Sequence, residues 1–135
     1  MFASFKHNSI NKDSLEELAK LQFSPKGTRR ICLHSNESSI LQVMLIEFLP
    51  STFYDFHCHP QSDEFVMLYD GQVEYNFRNG MKYILSNENT KSIIIPQYMF
   101  HSVLSGLNGA IIIEVSKGPY TQSSTQYLNL QYYLK

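Results

Sequence analysis

The chain has 135 residues, 43% hydrophobic and 13% aromatic, with a formal charge of -1, enough for one core and too short for two ordinary domains. Its 11 basic and 12 acidic residues are scattered, which argues against nucleic acid or an anionic membrane as the main partner. No apolar run approaches the roughly 18 to 20 residues that a bilayer span requires.

The opening stretch, MFASFKHNSINKDSLEEL, lacks the apolar middle of a secretory signal. Cys32 and Cys58 read as free, buried thiols in a reducing compartment, so a cytoplasmic chain is expected. NKDSLEELAKLQ then reads as the one helix, with Asp13 or Ser14 as N-cap, acidic residues in the first turn, and Leu15, Leu18, Ala19 and Leu21 on one side. SPKG stops it. From Arg29 onward nine short segments alternate or run apolar between turn residues: RRICLH, SILQVMLIEF, TFYDFHCH, EFVMLY, QVEYNF, KYILS, KSIIIP, HSVLS and AIIIEVS. Strands this short, without helical crossovers, predict a closed or sandwich-like antiparallel architecture. Asp70-Gly71 and Asn79-Gly80 each match a tight hairpin in which both turn residues take positive φ. The tail TQSSTQYLNLQYYLK fits an added strand, a short helix or an arm across a second subunit.

Residues two apart on a strand share a face, so His57 and His59 project together while Cys58 points away. That alternation removes Cys58 from any nucleophilic role beside the imidazoles. Pro60 to Asp63 form a connection short enough to bring the Glu64 carboxylate back to the histidines. His101 begins a strand after SIIIPQYMF and can face the same interior. Three imidazoles and a carboxylate suit one divalent transition metal, with iron, manganese, zinc and nickel all open. A His-x-His pair alone is more often surface or core filling; the conjunction with Glu64, Gly71, Pro96 and His101 carries the metal reading.

Other candidates have ordinary alternatives. Arg29 and Arg30 are either a clamp for a phosphate or carboxylate at the barrel mouth or solvated charges at a strand entrance. His34 either lines the pocket or simply ends its strand. Glu114, within AIIIEVS, is either an inward general base or a strand-end carboxylate facing water. Tyr120 either closes the pocket or caps the core.

His57-x-His59-x4-Glu64-x6-Gly71 resembles the first cupin motif, and Pro96-x4-His101 resembles the core of the second. Tyr98 and Ser105 depart from the glycine and asparagine common there, and no glycine shortly precedes SIIIP. With SPKGTRRICLH, HCHPQSDEFVMLYDGQ, IPQYMFHSVLS and EVSKGPY, the chain more narrowly resembles WbuC-type cupins of bacterial O-antigen and surface-polysaccharide gene clusters. The resemblance implies an all-β cupin jelly-roll with a short N-terminal helix, organised as a helical segment (1–28), a barrel (29–118) and a C-terminal arm (119–135). It implies a metal on His57, His59, Glu64 and His101, a small sugar or sugar-nucleotide ligand, no nucleic-acid or membrane partner, and a homodimer. The expected activity is isomerase-type or epimerase-type, with Glu114 as proton carrier and Arg29, Arg30, His34 and Tyr120 on the substrate. A metal-dependent oxygenase and a non-catalytic sugar-binding or regulatory protein are the alternatives.

Overall fold

The computed structural model describes residues 1–128. Strand β1 (Ala3–Ser4) is followed by helix α1 (Lys12–Lys20) and by β2 (Thr28–Cys32), β3 (Leu41–Phe48), β4 (Phe53–Cys58), β5 (Glu64–Phe77), β6 (Lys82–Leu85), β7 (Ser92–Ile95) and β8 (His101–Lys117). A 3-10 turn at Gln122–Ser124 leads to β9 (Gln126–Tyr127). The all-β jelly-roll with one short helix is as expected; residues 129–135 of the expected arm lie outside the described residues.

Two long strands organise the sheet. The C-terminal half of β8 pairs with β3 (Leu41↔Lys117 through Phe48↔Ala110), and its N-terminal half pairs with β4. β5 follows β8 along both halves and carries β7 beside its start and β6 beside its end. Each long strand therefore belongs to both walls of the curled sheet.

The corner between the walls corrects one expectation. Asp70-Gly71 is no hairpin turn: β5 runs through it, with irregular register on either side (Leu68/Asp70 and Gly71/Val73). Gly71 has φ +84, and an added Cβ would press into the carbonyl oxygen of Gly109 and lie 2.9 Å from Ala110 Cα. The dipeptide tolerates positive φ, as a turn requires, but here that freedom bends a paired strand. HSVLS and AIIIEVS likewise fuse into β8 across Gly109 (φ +79). Arg78 to Gly80 do connect β5 to β6, closed by Phe77 N–H donating to Met81 O at 2.8 Å. Only Gly80 takes positive φ there, so the loop is the three-residue kind.

The helix starts earlier than Asp13 or Ser14. Asn11 is the N-cap: its side chain accepts from Ser14 N–H at 3.0 Å, and Ser14 Oγ accepts from Asn11 N–H at 2.8 Å. The reciprocal box needs polar groups three residues apart, which this pair provides. Leu18 packs with Ile31 and Leu45 on the outer face of the sheet, flanked by Ile111 and Ile113. Between those two, Ile112 points inward to the main core with Val66, Leu68 and Tyr75. AIIIEVS is apolar without alternation because both of its faces are covered.

Candidate metal centre

β4 delivers its histidines through a bulge. Tyr54 pairs with Val103 and His57 with His101, so three steps along β4 match two along β8. The extra residue changes the parity of the strand, and Tyr54, His57 and His59 all line one cavity. Cys58 is 1% exposed and is not part of that lining. Ring centroids lie 4.3 Å apart for His57 and His101, 5.3 Å for His57 and His59, and 5.6 Å for His59 and His101. One nitrogen from each ring falls within 4.8 Å of the others, a group able to hold a metal ion. Glu64, the first residue of β5, places Oε2 3.2 Å from His59 Nε2.

The backbone sets the tautomers. Nδ1 of His57 faces Asp55 O at 2.7 Å, Nδ1 of His101 faces Met99 O at 2.9 Å, and Nδ1 of His59 faces Ser124 O at 3.2 Å. A carbonyl oxygen only accepts, so each Nδ1 carries a proton and donates it, leaving the Nε2 lone pairs for a cation. Burial lowers the His57 pKa, and it pushes His101 down to about 3, helped by the charge of His57. Both rings are therefore neutral at pH 7, the form in which imidazole ligates. Glu64 is raised well above the ordinary carboxyl range by burial, then by the charge of Glu114, with which its side chain shares a hydrogen bond. Glu64 is thereby favoured in its protonated form when no cation is beside it.

The cavity measures about 690 Å³, within the usual range for a small-molecule site. Its walls follow strand alternation: Thr28, Arg30, Cys32 and His34 from β2 and its extension, and Gln42, Met44, Ile46 and Phe48 from β3. Glu114 faces inward from β8, and Tyr120 lines the mouth, half exposed. Arg29 lies on the opposite face. It bonds Glu47 Oε1 through Nε and Nη2, both at 2.7 Å, donates to Ala19 O and Leu21 O at the end of α1, and stacks on Phe23. Its guanidinium caps the helix carbonyls rather than lining the cavity.

Among the lining residues that sequence reasoning missed, four bear on the chemistry of the site. Tyr75 is 2% exposed, lies 6.2 Å from the His101 ring by centroid, and is raised well above the ordinary phenol range by burial and by Glu114 and Glu64. Its place in QVEYNF, on the parity of Val73 and Phe77, was the available signal. Tyr54 bonds Thr28 Oγ1 at 2.8 Å. Lys26 donates to Tyr127 Oη at 3.2 Å, and Tyr127 packs 5.7 Å from the His57 ring because β9 pairs with β4. No local pattern places β9 there.

No family model matches the chain, and no curated protein does. Solved structures match with full probability: KdgF from Halomonas sp. (TM-score 0.61, 18% identity, 74% of this chain and 87% of that one), an oxalate decarboxylase from Bacillus subtilis (0.62, 20%, 78% and 29%), and the capsular polysaccharide assembling protein CapF from Staphylococcus aureus (0.64, 18%, 80% and 33%). The chain spans about a third or less of the last two. It has the cupin fold.

Within that fold the departures in the second cupin motif become legible. Met99 N–H donates to Pro96 O at 3.0 Å, closing a turn whose third residue, Tyr98, has φ +65. That position favours glycine, and the turn is held without one by Tyr98 N–H donating to His59 O and by Gln97 N–H donating to Asp63 Oδ1 at 2.8 Å. Both cupin motifs are thereby clamped together behind the imidazoles. Ser105 Oγ, in place of an asparagine, bonds Leu49 O at 2.6 Å and accepts from Thr52 N–H at 2.8 Å, fastening the β3–β4 connection.

Proposed function

We propose that this cupin binds one divalent transition metal through Nε2 of His57, His59 and His101 and the carboxylate of Glu64, and acts on a sugar or sugar-nucleotide. The single observation that carries the reading is the set of three carbonyl-held Nδ1 atoms, which leaves three Nε2 lone pairs converging beside a carboxyl. A metal ion bound there supplies a Lewis acid for a carbonyl or hydroxyl oxygen.

The protein's own groups then handle the proton. In an isomerase-type reaction, Glu114 takes the proton from the carbon beside the carbonyl and returns it, on the same face, to the former carbonyl carbon, while the hydroxyl proton passes to the former carbonyl oxygen. In an epimerase-type reaction the opposite face takes its proton from a second acid or from solvent. The Tyr75 phenol, kept protonated by burial and then by the adjacent carboxyls, donates a hydrogen bond to the substrate oxygen. The apolar part of the wall, from Ile46, Phe48 and Val103, excludes water from the face of the ring. The name of CapF as a capsular polysaccharide assembling protein supports a surface-polysaccharide setting, as does the resemblance to WbuC-type cupins. A cytoplasmic homodimer fits the same setting.

The test is incubation of the metal-loaded protein with aldoses, ketoses and nucleotide sugars in D2O, with deuterium at the carbon beside the carbonyl read by NMR. Exchange that disappears in Glu114→Gln, with metal retained, is the expected result. Saturable binding with neither exchange nor turnover would establish a binding protein instead, and turnover that requires dioxygen would establish an oxygenase.

A further inference from the structure

We infer that the cavity contains an anion subsite on β2, centred on Arg30, so that the ligand carries a carboxylate or phosphate group at the end opposite the metal. The inference deepens the ligand reading above and rests on it for the metal end alone.

The two neighbouring arginines are used differently. Arg29 spends its donors on Glu47 and the helix-end carbonyls. Arg30 lines the cavity, half-buried, and its side-chain contact is Met44 Sδ at 3.7 Å, a weak acceptor. Among the described residues it forms no ion pair within 4.0 Å. A guanidinium presents five N–H donors in a planar fork, and shielding it from water without an oxygen acceptor is costly. A planar carboxylate or a phosphate is the complement of that fork.

The neighbouring groups have the same polarity. His34 Nδ1 lies 3.1 Å from Val43 O, which also accepts from Leu33 N–H at 2.8 Å, and 3.0 Å from the Val43 N–H, whose hydrogen points at Nδ1 and leaves no room for a second proton there. The His34 proton therefore sits on Nε2, the reverse of the three metal-site histidines, and makes this ring a donor. Lys26 stands at the rim on Tyr127. Among the described residues the acidic groups facing the cavity form no ion pair with these cations: Glu64 and Glu114 bond each other and share their charge, and Glu37 is exposed at the mouth. In the sheet Cys32 pairs with Met44 and Met44 with Glu114. Two strand spacings, roughly 10 Å, thus separate the Arg30 strand from the Glu114 strand. A cavity of about 690 Å³ accommodates a monosaccharide across that gap.

Calorimetric titration of D-glucuronate, D-glucose 6-phosphate and D-glucose into the protein, both metal-loaded and chelator-treated, tests the subsite. At least one of the two anionic sugars is expected to bind ten-fold or more tighter than glucose, and which of them does so distinguishes carboxylate from phosphate. Arg30→Gln should abolish that preference, while Arg30→Lys should retain part of it; unchanged melting and metal uptake in both variants would show that they fold. Equal affinity for all three sugars, no binding of either anion, or a preference that survives in Arg30→Gln would overturn the proposal. Preference persisting in the chelated protein while metal uptake fails would sink the metal reading alone, whereas normal metal uptake without preference would sink the subsite alone.

Discussion

Glu64 Oε2 lies 3.2 Å from His59 Nε2, joining the start of β5 to the end of β4 across a five-residue step in sequence. Four consequences of this and related contacts can be measured.

Because the carboxyl and the imidazoles form one donor set, removing one member weakens the whole. His101→Ala is expected to carry less than a tenth of an equivalent of metal after growth in supplemented medium, and Glu64→Gln to lose about 10- to 100-fold in affinity. Elemental analysis and chelator competition read both; full metal content in His101→Ala would refute the assignment.

Glu114 touches Glu64 from the side of the substrate space, so its role should separate from metal binding. Glu114→Gln is expected to keep metal content near that of the unaltered protein while proton exchange falls by about 10²- to 10⁴-fold. Loss of metal and exchange together would make Glu114 a structural partner of Glu64.

Gly71 and Tyr98, both at positive φ, should respond in opposite senses. Tyr98 is 63% exposed with φ +65, so Tyr98→Gly should be more stable than Tyr98→Ala by about 1 kcal/mol, both having lost the same exposed ring. Gly71→Ala forces a Cβ against Gly109 and Ala110 and should cost more than about 2 kcal/mol. Denaturant unfolding gives both numbers, and an alanine at 98 as stable as glycine would contradict the turn geometry.

Cys32 and Cys58 are 3% and 1% exposed, and burial raises both thiols, Cys32 from 9.0 to about 11. Native alkylation at pH 8 should be at least about 100-fold slower than in denaturant, since the thiolate is the nucleophile. A raised folded pKa favours the folded state fully below the unfolded value of 9.0, and that contribution is lost as pH rises through about 11. Cys32→Ala should therefore flatten the alkaline limb of a stability profile; rapid native labelling of either cysteine would refute their burial.

Much of the site was legible because strand parity is a local property. His57-x-His59 and the short Pro60 to Asp63 connection place two rings and a carboxylate together without knowledge of the rest. Parity also separates Arg29 from Arg30, although a pair of adjacent arginines reads naturally as a clamp until the helix end claims one of them. Asp70-Gly71 was misread for a physical reason: a residue pair that tolerates positive φ serves equally in a two-residue turn and in a corner, and the choice depends on whether β8 is there to pair on both sides. Tyr54 joined the lining because a bulge shifted the parity of β4, and a bulge is set by the partner strand.

Residue type, spacing and alternation thus determined the fold class, the candidate donor set and the inward face of the regular strands, though not of the bulged β4, since these follow from bond geometry within a few residues. Only the tertiary structure decided that Glu114 meets Glu64, that Tyr75 and Tyr127 reach the imidazoles, and that Arg30 faces the cavity without a carboxylate. Those relationships arise where β5 and β8 bend together and where β9 returns to β4, and they depend on pairing between segments far apart in the chain.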